Sequence, residues 1–113
     1  MVKKKYTATE IRRIVSALVD LLRQNDVPVE KVILYGSYAK GAPRDHSDLD
    51  IAVISPSFRG KKLIETQAEL ARILAKYLAV IEPVGYSPEA LRTAEPETLL
   101  GEIKRTGKVL FAA

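Results

Sequence analysis

The sequence predicts an α/β (α+β) domain in which helices pack against a small mixed β-sheet. Apolar runs of strand length recur along the chain, stretches of helical apolar periodicity separate them, and Gly, Pro and Ser clusters mark the boundaries. The chain has 113 residues, which is enough for one hydrophobic core and too few for a second one of any size. We therefore expect a single domain over residues 1–113.

The first helix is predicted by a capping signal followed by an apolar stripe. Thr7 and Glu10 have the spacing of a capping box, and Pro28 is expected to stop the helix. The apolar residues that recur at steps of three and four, and so share one face, are Ile11, Ile14, Val15, Leu18, Val19 and Leu22.

Three further helices follow from the same reasoning. A helix over about residues 60–79 is predicted from a second stripe, whose members are Ile64, Ala68, Ala71, Leu74 and Leu78. Ser87-Pro88-Glu89 has the composition of a helix start. Glu95-Pro96-Glu97 suggests another start, and Gly107 is expected to end that helix.

Four strands are predicted between these helices. The apolar runs cover residues 31–35, 49–54, 80–86 and 108–111. Pro83 lies inside the third run, and because proline cannot donate a ladder hydrogen bond, that strand is expected at an edge of the sheet or to end its pairing early.

Composition excludes several classes of site and partner. The chain has no cysteine and one histidine, His46, so disulfides, thiolate chemistry and zinc sites with several histidines are excluded. It has no apolar run long enough to span a membrane and no signal-peptide pattern at its start, and we expect a cytoplasmic protein. A net charge of +4 suits a polyanionic ligand such as a nucleotide, while nucleic acid is a less favoured partner. The run Lys3-Lys4-Lys5 is interpreted as a solubilising start.

The segment VILYGSYAKGAPRDHSDLDIAVI carries the chemical signal. Gly36-Ser37 forms a turn after one predicted strand, and Asp48 and Asp50 stand at the start of the next. Residues two apart on a strand point to the same face, so the two carboxylates can share a metal while Leu49 points into the core. The sequence therefore predicts a phosphate-binding turn opposite a metal site.

These residue types suit transfer of a phosphorus-containing group. Two magnesium ions can clamp the attacking and leaving oxygens of an in-line displacement, and magnesium prefers carboxylate oxygens. We expect Asp48, Asp50 and Glu82 to be the metal ligands and catalytic carboxylates, because Glu82 is the acidic residue of the third predicted strand. Gly36 and Ser37 are expected to bind nucleotide phosphates. Lys40 and Arg44 either reach the triphosphate or are simply solvated.

The pattern G-S-x3-G-x5-S-D-x-D, present as GSYAKGAPRDHSDLD, closely resembles the signature of the DNA polymerase beta nucleotidyltransferase superfamily. The length resembles its minimal nucleotidyltransferase branch, and the resemblance covers nearly the whole chain. It implies the polymerase beta palm-like fold, with phosphates on Gly36 and Ser37. It also implies two Mg²⁺ ions, for which Mn²⁺ could substitute, on Asp48 and Asp50 and, by strand position, on Glu82.

The resemblance also implies a reaction and a partner. Members transfer a nucleoside monophosphate, here expected to be AMP from ATP, to a hydroxyl acceptor. Minimal members pair with helical HEPN proteins, among them RNase toxins, and act as antitoxins, some by adenylylating a tyrosine of that partner. The resemblance thus implies a protein adenylyltransferase acting as a type VII-like antitoxin in a homo- or hetero-oligomer.

Two alternatives stay open at this point. The chain could neutralise its partner by binding alone, which is suggested by Glu82 standing where the family more often has Asp. It could instead transfer the nucleotide to an RNA end or to a small molecule such as an aminoglycoside, since the family is broad.

Overall fold

The computed structural model describes residues 5–113, so Lys3 and Lys4 of the predicted basic start lie outside the described residues. Its elements are α1 (Ala8–Gln24), β1 (Lys31–Tyr35), β2 (Leu49–Ile54), α2 (Leu63–Ile73), β3 (Ile81–Tyr86), α3 (Pro88–Arg92), α4 (Leu99–Thr106) and β4 (Lys108–Ala112). Short 3₁₀ turns occupy Pro56–Phe58 and Ala75–Tyr77. The predicted α/β class with a mixed sheet is confirmed.

The strands form one sheet in the order β3-β2-β1-β4. β1 pairs antiparallel with β2 and with β4, whereas β2 and β3 are parallel. A parallel pair needs a crossover connection, and α2 provides it. β3 is therefore an edge strand, which confirms the expectation from Pro83.

The two faces of the sheet are covered unequally. On β2, Leu49, Ile51 and Val53 are completely buried and belong to the main core, which includes the apolar faces of α1 and α2. The opposite face carries a smaller core in which Ala52 packs with Ile103 of α4. Towards the start of β2 this second face becomes more accessible, and that is where Asp50 lies.

α1 forms where its capping signal predicts. The Thr7 N–H donates to Glu10 Oε1 at 2.9 Å and the Glu10 N–H donates to Thr7 Oγ1 at 3.1 Å, which is a reciprocal capping box. The helix ends at Gln24, ahead of Pro28. Its buried residues are Ile11, Val15, Leu18, Val19 and Leu22.

The prediction for α2 was wrong in length and in orientation. The helix covers Leu63–Ile73 rather than residues 60–79. Most of the predicted apolar stripe faces solvent: Ile64 is 76% exposed, and Ala68 and Ala71 are exposed as well. The residues that α2 buries are Thr66, Leu70 and Ile73.

Contacts with β3 explain this orientation. Gln67 Nε2 donates to the Pro83 carbonyl at 2.9 Å. Thr66 Oγ1 donates to the Leu63 carbonyl of its own helix at 2.9 Å and makes a longer contact of 3.4 Å with the Gly85 carbonyl. A Cβ at Gly85 would stand 2.7 Å from the Phe58 ring and 3.0 Å from Leu70 Cδ1, so the glycine permits this close packing. Packing and polar anchoring on the edge strand therefore set which side of the helix is buried.

α4 begins slightly later than the acidic signal at residues 95–97 suggests. Thr98 is its N-cap, because the Gly101 N–H donates to Thr98 Oγ1 at 3.0 Å. Gly107 ends the helix as predicted, with its N–H bonded to the Ile103 carbonyl. Within residues 5–113, no helix combines the length and the apolar character needed to cross a bilayer.

The orientation of α2 can be tested with two isoleucines of the same helix. Ile73 is 8% exposed and Ile64 is 76% exposed. We expect Ile73→Ala to lower the free energy of unfolding by about 2–5 kcal/mol and Ile64→Ala to change it by less than about 0.5 kcal/mol. Urea denaturation at low protein concentration measures both, and equal losses would contradict the observed packing.

Candidate active site

The turn after β1 is held against Asp50. Tyr35, the last residue of β1, pairs with Asp50 on β2, and the chain then turns at Gly36 with a φ of 73°. A Cβ placed on Gly36 would collide with Oδ2 of Asp50 and lie 3.1 Å from its Cγ. Glycine at this position therefore satisfies the left-handed backbone and the close approach of the turn to a carboxylate.

Backbone and side-chain hydrogen bonds fix the shape of the turn. The Lys40 N–H donates to the Gly36 carbonyl at 3.1 Å, and the Ala42 N–H donates to the Ser37 carbonyl at 3.0 Å. Tyr38 is buried and its hydroxyl accepts a hydrogen bond of 2.9 Å from the Tyr6 N–H. The buried tyrosine thus anchors the turn to the start of α1.

Two acidic side chains meet across the parallel strand pair. Asp50 and Glu82 are register partners, and in the folded chain their carboxyl groups share a hydrogen bond. Burial first, and then this hydrogen bond and the negative charges of Glu82 and Asp48, raise the pKa of Asp50 to about 6. The pair therefore holds a proton more tightly than isolated carboxylates do.

Asp48 lies beside this pair but outside the strand. It is exposed, directly before β2, and its charge contributes to the raised pKa of Asp50. As the side chains stand in residues 5–113, no three His, Asp or Glu groups are arranged to hold one metal ion. The structure thus brings Asp50 and Glu82 into contact and leaves Asp48 at their side.

Tyr35 lies beside the carboxylates and Tyr86 lies near Tyr35, and neither was named as a site residue from the sequence. Burial first, and then the charges of Asp50, Tyr86 and Glu82, raise the pKa of Tyr35 to about 12, and burial raises the pKa of Tyr86. Both phenols therefore stay protonated at neutral pH. The signal for Tyr86 was available, because alternate residues of a strand share a face and Tyr86 follows Glu82 at an even spacing.

The predicted cations lie near the turn but differ in their surroundings. Lys40 Nζ forms an exposed ion pair with Glu102 Oε1 of α4 at 3.3 Å. Arg44 is exposed in the connection to β2. His46 is also exposed and has a φ of 65°, which suits the turn residue expected from sequence.

The arrangement of turn, carboxylates and mixed sheet agrees with a family comparison. The family model described as polymerase beta, nucleotidyltransferase matches residues 16–113. The chain belongs to this family. None of the curated proteins matches it.

Several solved structures share the fold of this nucleotidyltransferase. A Sulfolobus solfataricus protein assigned as a nucleotidyltransferase superposes with a TM-score of 0.65 at 13% identity, over 89% of this chain and 79% of that chain. A toxin–antitoxin structure with AMP-PNP matches with a TM-score of 0.58 at 29% identity, over 87% and 73%. A variant of the MntA-HpeT toxin–antitoxin, in which two aspartates two positions apart are replaced by glutamate, matches with a TM-score of 0.53 at 26% identity, over 87% and 72%.

The donor set of the nucleotidyltransferase site suits a hard divalent cation. Asp48, Asp50 and Glu82 offer only carboxylate oxygens, the ligands that magnesium prefers. Mutual repulsion of the acidic groups also favours a cation, because neighbouring negative charges raise the pKa of Asp50.

The raised pKa of Asp50, caused first by burial and then by its acidic neighbours, predicts an unusual gain in stability when this carboxyl group is removed. The pKa of Asp50 rises from 3.8 to about 6 on folding, so the folded chain binds more protons than the unfolded chain between about pH 4 and pH 6, and stability falls as pH rises through this window. Because Asp50 is only partly buried and solvent screens its neighbours, we expect Asp50→Asn to raise the free energy of unfolding at neutral pH by about 1–2 kcal/mol without metal. The gain should vanish below about pH 4. Asp20→Asn, an exposed change on α1, is the control, and a loss of stability in Asp50→Asn at neutral pH would contradict the electrostatic account.

The contact between Gly36 and Asp50 can be separated from backbone strain. Gly36 and Gly41 have φ values of 73° and 74°, but a Cβ at Gly41 meets nothing within 4 Å. Gly41→Ala should therefore cost only the left-handed penalty of about 1–2 kcal/mol. Gly36→Ala should cost about 1–3 kcal/mol more because of the collision. Equal costs in urea denaturation would refute the close approach.

Proposed function

We propose that this nucleotidyltransferase transfers AMP from ATP to a hydroxyl of a partner protein in the presence of Mg²⁺. The observation that carries the proposal is the position of the Asp50 carboxyl group. It lies against Gly36 of the turn on one side and Glu82 of β3 on the other. A triphosphate on the turn would therefore present its phosphorus atoms to the acidic groups.

The proposed reaction is an in-line displacement. The acceptor oxygen forms a bond to the α-phosphorus, the bond from that phosphorus to the bridging oxygen of the β-phosphate breaks, and pyrophosphate leaves. A carboxylate of the Asp50–Glu82 pair accepts the hydroxyl proton as general base. Magnesium, when bound, neutralises charge on the phosphates.

Each site residue has a role in this proposal. Asp48, Asp50 and Glu82 hold the metal ions, and the exposed Asp48 can change rotamer to join the other two. The turn formed by Gly36 and Ser37 binds the phosphates of ATP. Lys40 and Arg44 contact the same phosphates with their positive charges. Lys40 would exchange its exposed ion pair with Glu102 for the triphosphate, which costs little because such pairs contribute about 0–1 kcal/mol.

The proposed partner is a HEPN-domain toxin, modified on a tyrosine, which makes this chain an antitoxin. Support comes from the toxin–antitoxin structures that share the fold. One of them, 29% identical to this chain, contains the ATP analogue AMP-PNP. In another, the two replaced aspartates have the spacing of Asp48 and Asp50.

Transfer is tested with ATP labelled in the α-phosphate, Mg²⁺ and a HEPN-domain protein co-expressed with the chain. We expect label on the HEPN protein, none from γ-labelled ATP and none with EDTA. Asp48→Asn and Asp50→Asn should each lower labelling by at least about 100-fold, since both carboxylates act on the developing charge, while circular dichroism stays unchanged. Asp45→Asn, an exposed acid in the same loop, is the matched control.

Full labelling in the Asp48→Asn, Asp50→Asn double variant would refute the assigned site. Label on RNA or an aminoglycoside, with none on protein, would refute the protein acceptor and keep the transfer reaction.

A second candidate is an antitoxin that acts by binding alone. It is favoured by the arrangement of Asp48, Asp50 and Glu82, which as placed do not form a three-ligand cluster in the described part of the chain. Inhibition of the toxin by the double variant without nucleotide, together with an absence of label in the wild type, would establish this alternative.

A further inference from the structure

The outer face of α2 is apolar although the core does not use it. Ile64 is 76% exposed and Leu78, in the turn that follows the helix, is 40% exposed. Between them, Ala68, Ala71 and Ala75 are exposed too. We call these five residues the α2 outer stripe. They are the stripe predicted from sequence, except that Ala75 replaces Leu74, and they face solvent.

Helical geometry separates this stripe from the core side. At about 100° per residue, Ile64, Ala68 and Ala71 lie within an arc of about 60°, whereas Leu70 and Ile73 lie on the far side and are buried. Three of the five exposed large hydrophobic residues in residues 5–113 belong to this segment, since Leu63 is 52% exposed in addition to Ile64 and Leu78. Such a concentration is typical of an interaction surface.

Small residues define the kind of contact that fits. Ala68 and Ala71 occupy the middle of the outer stripe, so another helix can approach the α2 backbone closely at this point. Ile64 and Leu78 at the two ends can then pack beside the approaching helix.

Charges along one flank of the stripe select the direction of that helix. Glu65, Glu69 and Arg72 lie on α2 within an arc of about 60°, and Lys76 follows in the 3₁₀ turn after the helix. If α2 packed on an antiparallel copy of itself about a two-fold axis, Glu69 would face Arg72 of the copy and would exchange its 3.3 Å ion pair with Lys61 for it. Glu65, near the start of α2, would lie towards the turn of the copy that carries Lys76. A parallel copy about a two-fold axis would instead place this charged flank against the opposite flank of α2, whose residues Leu63, Gln67 and Leu70 carry no charge, and the ion pairs would be absent. The flank is therefore self-complementary only in the antiparallel arrangement.

We propose that the α2 outer stripe binds a second copy of this chain, with the two α2 helices antiparallel about a two-fold axis. In such an isologous interface every contact occurs twice, so the dimer contains two Glu69–Arg72 pairs. This proposal does not depend on the proposed nucleotidyl transfer.

The expected dimer is weak. α2 has 11 residues and is about 16 Å long, so a single helix pair buries less than the roughly 1,200–2,000 Å² of a standard stable interface. We expect a dissociation constant of about 1–100 μM.

Sedimentation equilibrium of the full chain from about 1 to 500 μM, chosen to bracket that range, tests the proposal. The wild type should pass from monomer to dimer. Ile64→Asp should stay monomeric and keep its circular dichroism, while Leu99→Asp, at another exposed apolar residue (49% exposed), should dimerise normally. A wild-type chain that is monomeric throughout, or a dimer that Ile64→Asp leaves intact, would overturn the proposal.

Charge reversal tests the antiparallel direction. Glu69→Arg alone places arginine opposite Arg72 of the copy, and Arg72→Glu alone places glutamate opposite Glu69, so each variant should dimerise at least about tenfold more weakly. An equimolar mixture of the two should form a heterodimer, because every cross-chain pair is again of opposite charge. A purely structural effect of either substitution would not be repaired by mixing. Absence of this heterodimer would refute the antiparallel arrangement.

A different occupant would give a different result. If the stripe binds a helix of a HEPN-domain protein, Ile64→Asp should abolish that complex while the chain alone is monomeric at every concentration. This result would show that the α2 outer stripe binds the HEPN-domain protein rather than a second copy of this chain, and it would overturn the proposal.

Discussion

The parallel pairing of β2 with β3 is the constraint on which the site depends. It places Asp50 and Glu82 side by side in register, so two acidic groups meet where the second face of the sheet becomes accessible. Burial of Asp50 first, and then its acidic neighbours, raise the pKa of Asp50 to about 6. The buried residues of β2 hold this unfavourable pair in place, because Leu49 and Ile51 fix the strand in the main core. A site that is repulsive without ligands is suited to a divalent cation.

The turn after β1 brings a second ligand-binding element to the same point. Gly36 passes so close to Asp50 that a side chain has no room, and Tyr38 ties the turn to the start of α1 through its hydroxyl. The turn and the carboxylates are thus positioned by different parts of the fold and meet because β1 and β2 are antiparallel neighbours. The proposed phosphate and metal roles both follow from this meeting.

Sequence patterns predicted the elements better than their surroundings. β1 and β2 have the predicted bounds, since alternating or continuous apolar runs between Gly and Pro signals are local features. The rotation of α2 was missed because the helix has two apolar sides, and its contacts with β3, among them the packing of Leu70 against Gly85 and the bond of Gln67 to Pro83, decide which is buried. Likewise, the contact of Lys40 with Glu102 joins residues 62 positions apart, which no local pattern reports. Asp48 and Asp50 were recognisable by spacing, but the environment of Tyr35 depends on strand register.

The two sides of α2 also explain how a homodimer and nucleotidyl transfer can coexist in so small a fold. α2 packs with Ile51 and Val53 in the main core, whereas Asp50 and Glu82 point to the other face of the sheet. A second copy on the outer stripe would therefore lie behind the sheet and leave the carboxylates open to an acceptor. At the same time, α2 holds the edge strand that carries Glu82 through a hydrogen bond to the Pro83 carbonyl and a longer contact with the Gly85 carbonyl. Packing against α2 would thus stabilise the position of Glu82 without covering it, because Glu82 and its register partner Asp50 lie on the other face of the sheet.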